Sequence, residues 1–241
     1  MRQSRVFQNR PLNINECITL DAFASHYLGR ALLMRVDDPL ILFNGEGGEY
    51  RARIVAINKK SVEVEILEYL DRTVEPPVNI HLGQVVSRGD KMDTSIQKAV
   101  ELGVTEITPI LSERCDVKLN KERWQKRLDH WQGVIISACE QSGRTLLPEL
   151  NPVTDINDWV QNSASELKII LHPREAKAPN SKEVPKSIDL LVGSEGGFTD
   201  NELKLASEFQ FKTIQLGPRV LRTETAGLVA ISILQHLFGD L

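Results

Sequence analysis

The chain reads as an α/β protein in two parts: a small β-rich domain, then a larger one built on a mainly parallel sheet covered by helices. Three observations carry that reading. Early in the chain apolar residues alternate with polar ones, and later they form short apolar runs separated by helical patterns. The change falls at Asp71-Arg72-Thr73-Val74-Glu75-Pro76-Pro77, where paired prolines exclude helix and sheet interior alike. Near the C-terminus two strand-loop-helix units follow one another closely, each with a glycine-bearing loop. Residues 1–72 are therefore taken as the first domain and 73–241 as the second.

In the first domain Asp21 to Met34 has a helical pattern and Leu40 to Phe43 is a short strand. Asn44-Gly45-Glu46-Gly47-Gly48 reads as a hairpin turn, since no helix follows it to make a phosphate loop. Tyr50 to Ile57 and Ser61 to Leu67 are strands, with Val62, Val64 and Ile66 on one face and Glu63 and Glu65 on the other. In the second domain Val78 to Val86 is a strand, Lys91 to Leu102 a helix with Met92, Ile96, Ala99 and Val100 aligned, and Ile107 to Leu111 a strand. Asn120 to Cys139 is a longer helix whose Trp124, Leu128, Trp131, Ile135 and Cys139 form a core stripe. Asp155 to Gln161 is a short helix and Leu167 to Leu171 a strand; Pro173 to Pro185, with its lysines and prolines, is a mobile loop.

The last third gathers the signals of a ligand site. Ile188 to Val192 is a strand closed by Gly193, and the loop Ser194 to Gly197 feeds a helix with complete start signals. Thr199 stands at the N-cap, Glu202 completes a capping box, and Phe198 and Leu203 are spaced as a hydrophobic staple. A second strand, Thr213 to Leu216, ends at Gly217 and Pro218, and a helix opens near Thr223 with Ala226, Ala230, Ile233 and Leu237 on one face. Two loops and two helix N-termini thus meet at the carboxyl edge of a sheet, where open α/β sheets bind ligands. Gly193 to Gly197 is neither a Walker A loop nor a G-x-G-x-x-G fingerprint. Glu195 in its centre would repel phosphates, so a neutral or positively charged ligand suits it better. On the local pattern alone a ligand loop and a plain tight turn both remain open.

Composition sets the limits. With 41% hydrophobic and 26% charged residues the chain reads as a soluble globular protein. No run approaches the roughly 18 apolar residues of a membrane span. Cys17, Cys115 and Cys139 lie far apart without C-x-x-C spacing, which argues against a disulfide framework and a zinc site and favours a cytoplasmic location. The net charge of −4 argues against a nucleic-acid partner, because neutralising phosphates usually drives such binding. Between residues 84 and 144 ten basic residues gather, interleaved with nine acidic ones, a pattern that on its own reads as a solvated, ion-paired face.

The segments LLVGSEGGFTDNEL and LGPRVLRTETA resemble the signature of the RsmE family, whose members methylate N3 of a uridine in small-subunit (16S) ribosomal RNA using S-adenosylmethionine. HLGQVVSRGDKMDTSIQKAVELGVTEITPILSERCDVKL, ACEQSGR and LHPR are also similar to that family, in the same order, so the resemblance covers essentially the whole chain. One departure is Ser194, where the family usually has proline; serine frees the loop and restores a backbone donor. The resemblance implies a PUA-like RNA-binding barrel at the N-terminus and a SPOUT-type methyltransferase domain with a trefoil knot, a feature no periodicity announces. It implies a homodimer as well; with RNA as substrate, an assembled small ribosomal subunit suits a chain with local basic patches, and no metal site is visible in the sequence.

Carried onto this sequence, the resemblance places S-adenosylmethionine at Leu171 and His172, at Gly193, Glu195, Gly196 and Gly197, and at Leu216, Gly217, Leu221 and Thr223. Glu195 would face the positive sulfonium or serve as a helix-start carboxylate. Arg222 is the catalytic candidate, stabilising charge on the uridine carbonyls, with an ion pair to Glu224 as its structural alternative. RNA contacts are assigned to Arg10, Arg30, Arg88, Lys91, Arg114, Lys118 and Arg144. His81 and His172 are given no catalytic role. A non-catalytic RNA-binding assembly factor is the runner-up, separable by titration with the cofactor, and a phosphate-handling α/β enzyme comes third.

Overall fold

The computed structural model describes residues 3–117, 119–173 and 184–241. Lys118 and most of the loop expected from Pro173 to Pro185 lie outside the described residues. The chain divides into two units, Met1–Glu75 with Cys139–Leu147, and Pro76–Ala138 with Pro148–Leu241.

The first unit contains β1 (Ser4–Phe7), β2 (Cys17–Thr19), α1 (Ala22–His26), β3 (Pro39–Phe43), β4 (Glu49–Ile57) and β5 (Val62–Leu70). These strands form one sheet in the order β1-β3-β4-β5-β2, parallel only between β1 and β3. The alternation expected in β5 is present: Val62, Val64 and Ile66 are at most 1% exposed and join Leu40, Leu42 and Ile54 in the core. The glycines of the β3–β4 hairpin have φ of 84°, 98° and 66° at Gly45, Gly47 and Gly48, the left-handed region that a tight turn needs. The first helix is shorter than its pattern suggests. After His26 it widens into a π turn, Tyr27–Ala31, where the Leu32 N–H reaches back to the Tyr27 carbonyl at 2.9 Å. It then ends through Leu33 at φ 52°, with the Met34 N–H on the Leu28 carbonyl at 3.0 Å.

Residues 139–147 complete this unit rather than decorate it. Arg5 is buried, ion-paired with the buried Glu49, and lies over the Phe43 ring at 5.0 Å; its second nitrogen donates to the Arg144 carbonyl at 3.0 Å. Arg144 in turn pairs with Glu75. Leu146 bridges to Gly45 and Glu46, and the Phe7 N–H donates to Glu140 at 3.0 Å. Each buried charge therefore has an opposite charge or a hydrogen-bond partner, as burial requires.

The second unit runs β6 (Asn79–Val85), α2 (Lys91–Glu101), β7 (Glu106–Leu111), α3 (Lys121–Ser142), β8 (Glu149–Leu150), β9 (Thr154–Asp155), α4 (Ile156–Asn162), β10 (Leu167–Leu171), β11 (Ser187–Val192), α5 (Asp200–Glu208), β12 (Lys212–Ile214) and α6 (Thr223–Phe238), with α3 continuing into residues of the first unit. The sheet order is β12-β10-β11-β6-β7-β8, with β9 also on β7, and every pairing is parallel. Ile80, Leu82, Ile107, Ile169, Leu190 and Leu191 are at most 1% exposed, as in a sheet covered on both faces.

Two expectations need correction. In α3 Trp131, Ile135 and Cys139 are fully buried, but Trp124 and Leu128 are only half-buried. In α6 the buried face is Gly227, Ala230, Ile231 and Leu234, whereas Ile233 and Leu237 stand 37% and 47% exposed. That helix is apolar nearly all round, so its pattern does not say which side is covered. Among the described residues no helix is long and apolar enough to cross a membrane.

Candidate active site

Three adjacent strands, β12, β10 and β11, end together, and the loops that leave them enclose a cleft of about 860 Å³. That volume lies within the usual range for small-molecule sites, roughly 300–1,000 Å³. Leu171, His172, Gly193, Glu195, Gly196, Gly197, Leu216, Leu221 and Thr223 all line it, as does Arg222. Gly217, expected with them, does not line the cleft; at φ 74° it turns the chain between Leu216 and Pro218.

Hydrogen bonds fix the loops to one another. The His172 N–H donates to the Ile214 carbonyl at 3.0 Å, joining the ends of β10 and β12. The Thr223 hydroxyl donates to the Gly193 carbonyl, joining the start of α6 to the end of β11. Beneath them Gln84, fully buried at the end of β6, donates to Thr223 Oγ1 at 3.3 Å and to the Val85 carbonyl at 3.0 Å. Gln84 went unrecognised in the sequence, although an amide directly before the apolar pair Val85 and Val86 at a strand end is the kind of signal that marks a buried polar link.

The glycine loop is shaped by close packing as well as by its turn. A Cβ on Gly193 would stand 3.1 Å from the Phe198 ring, and one on Gly196 would stand 3.0 Å from Arg114 Cβ. Within the loop the Gly197 N–H donates to the Ser194 carbonyl at 3.0 Å, with Gly197 at φ 64°. Then α5 begins at the expected capping box, Thr199 N–H to Glu202 at 2.7 Å and Glu202 N–H to Thr199 Oγ1 at 3.3 Å.

The charges at the rim of the cleft are distinct in their engagement. Glu195 accepts from Lys91 Nζ at 2.6 Å. Burial alone would push its carboxyl up, but the hydrogen bond from Lys91, with the nearby Arg88 charge, outweighs that and holds it below the usual carboxylate value. Arg222 is exposed at the N-cap of α6, and among the described residues no ion pair joins it to Glu224. Glu224 Oε2 is itself buried without a hydrogen-bond partner.

Other residues assigned to RNA are scattered. Arg10 pairs with Glu16 at 2.7 Å and Arg30 donates to the Lys59 carbonyl at 3.4 Å, both on the surface of the first unit. In the second unit Arg88 pairs with Asp116 at 2.7 Å, while Lys91 and Arg114 border the cleft. Lys118 lies outside the described residues. Arg144 must be corrected: at 4% exposure and paired with Glu75, its guanidinium is spent inside the first unit and faces no solvent route to a phosphate. His81 does not line the cleft; it is held at 3.2 Å by Asp189 and at 2.7 Å by Thr108. Among the described residues no group of three or more His, Cys, Asp or Glu side chains could hold a metal ion.

Comparison with known proteins agrees with this architecture. Residues 74–235 match an RNA methyltransferase domain, and residues 20–67 an RNA methyltransferase PUA domain. The chain is 40% identical to the ribosomal RNA small subunit methyltransferase E of Buchnera aphidicola from Schizaphis graminum, over 100% of this chain and 98% of that one. It is 28% identical to the protein of the same name from Bacillus subtilis, covering 88% and 86%. Among solved structures, a Legionella pneumophila chain in complex with the bound cofactor SAM superposes with a TM-score of 0.97 at 41% identity, with 100% of both chains covered. The ribosomal RNA small subunit methyltransferase E of Neisseria gonorrhoeae, bound to S-adenosyl methionine, superposes with a TM-score of 0.93 at 38% identity, again over both whole chains. A mixed α/β domain that ends three parallel strands around one cleft, joined to a β-rich PUA-like domain, is thus the arrangement of the ribosomal RNA small subunit methyltransferase E family, to which this chain belongs.

Proposed function

We propose that the chain transfers a methyl group from S-adenosylmethionine to N3 of a specific uridine in small-subunit ribosomal RNA, acting on the assembled subunit in the cytoplasm. The observation that carries this reading is the cleft, where an apolar wall, glycine backbone, a carboxylate and an arginine converge within one enclosure. Those features fit S-adenosylmethionine: Leu171, Leu216 and Leu221 offer apolar surface, and the loop after β11 brings peptide groups close. Glu195 gives a negative charge for a sulfonium. When bound, the cofactor supplies the electrophilic methyl, and the chain's residues have to position and stabilise the other partner.

Uridine N3 carries a proton and sits on the Watson-Crick edge, so the base must be unpaired or extruded before it can react. As N3 loses that proton, negative charge spreads onto the flanking carbonyl oxygens. Arg222, exposed at the rim and free of Glu224, is the donor assigned to that charge, worth on the order of 3 kcal/mol. Arg222→Ala should therefore keep calorimetric binding of S-adenosylmethionine while turnover falls by roughly 100-fold or more. Near-normal methyl transfer by that variant would remove Arg222 from the mechanism. Mapping methylated uridines in ribosomal RNA from cells with and without the gene tests the substrate itself.

Around this core, residues 1–72 are read as the PUA-like RNA-binding domain and 73–241 as the SPOUT-type knotted domain. Arg10, Arg30, Arg88 and Lys91 are the assigned phosphate contacts, each exposed or half-exposed. A homodimer is supported by the apolar side of α6 that the single chain leaves uncovered at Ile233 and Leu237. Light scattering on the purified protein decides it, since a monomer at micromolar concentration would rule that assembly out.

A further inference from the structure

We propose that Arg114 is a positioning residue for the methyl-donor loop, fixing Gly196 to Phe198 through their carbonyls rather than gripping RNA. The inference rests on the reading of this cleft as the S-adenosylmethionine site. A single guanidinium nitrogen, Nη1, donates to the Gly196 carbonyl at 3.1 Å and to the Phe198 carbonyl at 3.0 Å. The other side of each of those peptide planes is also held. The Gly197 N–H, in the same plane as the Gly196 carbonyl, donates to Ser194, and the Thr199 N–H, in the same plane as the Phe198 carbonyl, donates to Glu202. With Arg114 in place two peptide planes of the loop are pinned at both ends, and Gly197, between them, loses its freedom.

The backbone that carries Arg114 is fastened to the same loop. The preceding Glu113 N–H donates at 2.9 Å to Glu202, which is 2% exposed and caps α5. The Arg114 backbone lies so close to Gly196 that a Cβ there would be 3.2 Å from the Arg114 carbonyl oxygen. The segment after β7 is thus a strap against the loop, attached at consecutive residues to its middle and to the helix it feeds. An arginine suits the task because its long, forked side chain can reach two carbonyls with charge-assisted bonds.

Two variants test this, Arg114→Met and Arg114→Lys. Three measurements apply to each: hydrogen exchange of residues 193–199 in the ligand-free protein, calorimetric titration with S-adenosylmethionine, and binding to purified small ribosomal subunits. The positioning role expects faster loop exchange and at least about tenfold weaker cofactor affinity in Met, which removes both charge-assisted bonds. It expects little rescue by Lys, whose stem is one bond shorter than the reach to Nη1, and unchanged affinity for the subunits. Unchanged exchange and cofactor affinity, with subunit binding lost in Met and restored by Lys, would overturn it and make Arg114 a phosphate contact. If the wild-type protein binds no S-adenosylmethionine, the functional reading falls while the exchange measurement still decides what Arg114 does to the loop.

Discussion

Replacing Glu202 by alanine should cost more stability than its place in the first turn of a nine-residue helix suggests. Its carboxylate accepts two backbone N–H groups, from Glu113 at 2.9 Å and from Thr199 at 2.7 Å, in a position only 2% exposed. Alanine leaves both donors without their acceptor, at about 1–3 kcal/mol each. The Thr199 hydroxyl still accepts the N–H of residue 202, so half of the capping box survives and adds little further loss. The expected total is about 3 kcal/mol, or roughly 6–12 °C in melting temperature for a chain of this size. Glu202→Gln sharpens the test, because its amide keeps the volume but offers one oxygen to two donors and turns an NH2 toward the second. It should lose roughly half as much, on the same per-bond magnitude. Scanning calorimetry with urea titration reads both. A shift under about 2 °C for alanine, or glutamine equal to wild type, would refute the claim that this carboxylate ties the strap to the helix.

Gly83 in β6 lies against Trp159, where an added Cβ would stand 2.8 Å from the ring, so Gly83→Ala should cost about 1–3 kcal/mol in thermal melts and alter the near-ultraviolet tryptophan signal. Burial pushes the Asp189 carboxyl up, yet hydrogen bonds from His81, Ser163 and Ser165 outweigh it and hold it below its ordinary value. The unfolded chain then binds that proton more readily, so the contribution is fully present above about pH 4 and is lost as pH falls through the folded value. Urea unfolding from pH 6 downward should show that acid loss in the wild type and a flatter curve in Asp189→Asn. Burial also pushes the Cys139 thiol up to about 12, and Cys115 is buried, whereas Cys17 is exposed. Iodoacetamide at mildly alkaline pH should therefore modify Cys17 in the folded protein and all three cysteines only after denaturation, as mass spectrometry would read.

Much of this molecule was legible in the chain because local and long-range signals agreed. The capping box at Thr199 and Glu202, the mostly apolar stretch from Ile188 to Val192, interrupted by Asp189, and the alternation of Val62, Val64 and Ile66 each specify their element. What escaped was short or non-local. β1 and β2, with four and three residues, are too brief to show a period, and β8 and β9 have two each. Their pairing depends on partners distant in sequence, as with Ser4 on Leu40 or Thr154 on Ile110. At the site, the loops were located by their glycines and helix starts. The links beneath them, Gln84 on Thr223 and Glu113 on Glu202, span 139 and 89 positions and leave no local trace. Arg144 shows the same limit from the other side, since an arginine after a glycine in a polar stretch looks solvated until the fold supplies Glu75.

The first unit is discontinuous, and synthesis proceeds from one end. Until residues 139–147 have left the ribosome, the Arg5 guanidinium lacks the Arg144 carbonyl, Glu75 lacks its cation and the glycine hairpin lacks Leu146. The N-terminal sheet, whose last strand ends at Leu70, therefore waits, incompletely satisfied, while about a third of the polypeptide emerges. A fragment cut after Glu75 should be less stable than its compact core of Leu40, Ile54 and Val64 would lead one to design for, and supplying residues 139–147 on a short linker is the natural way to make it stand alone.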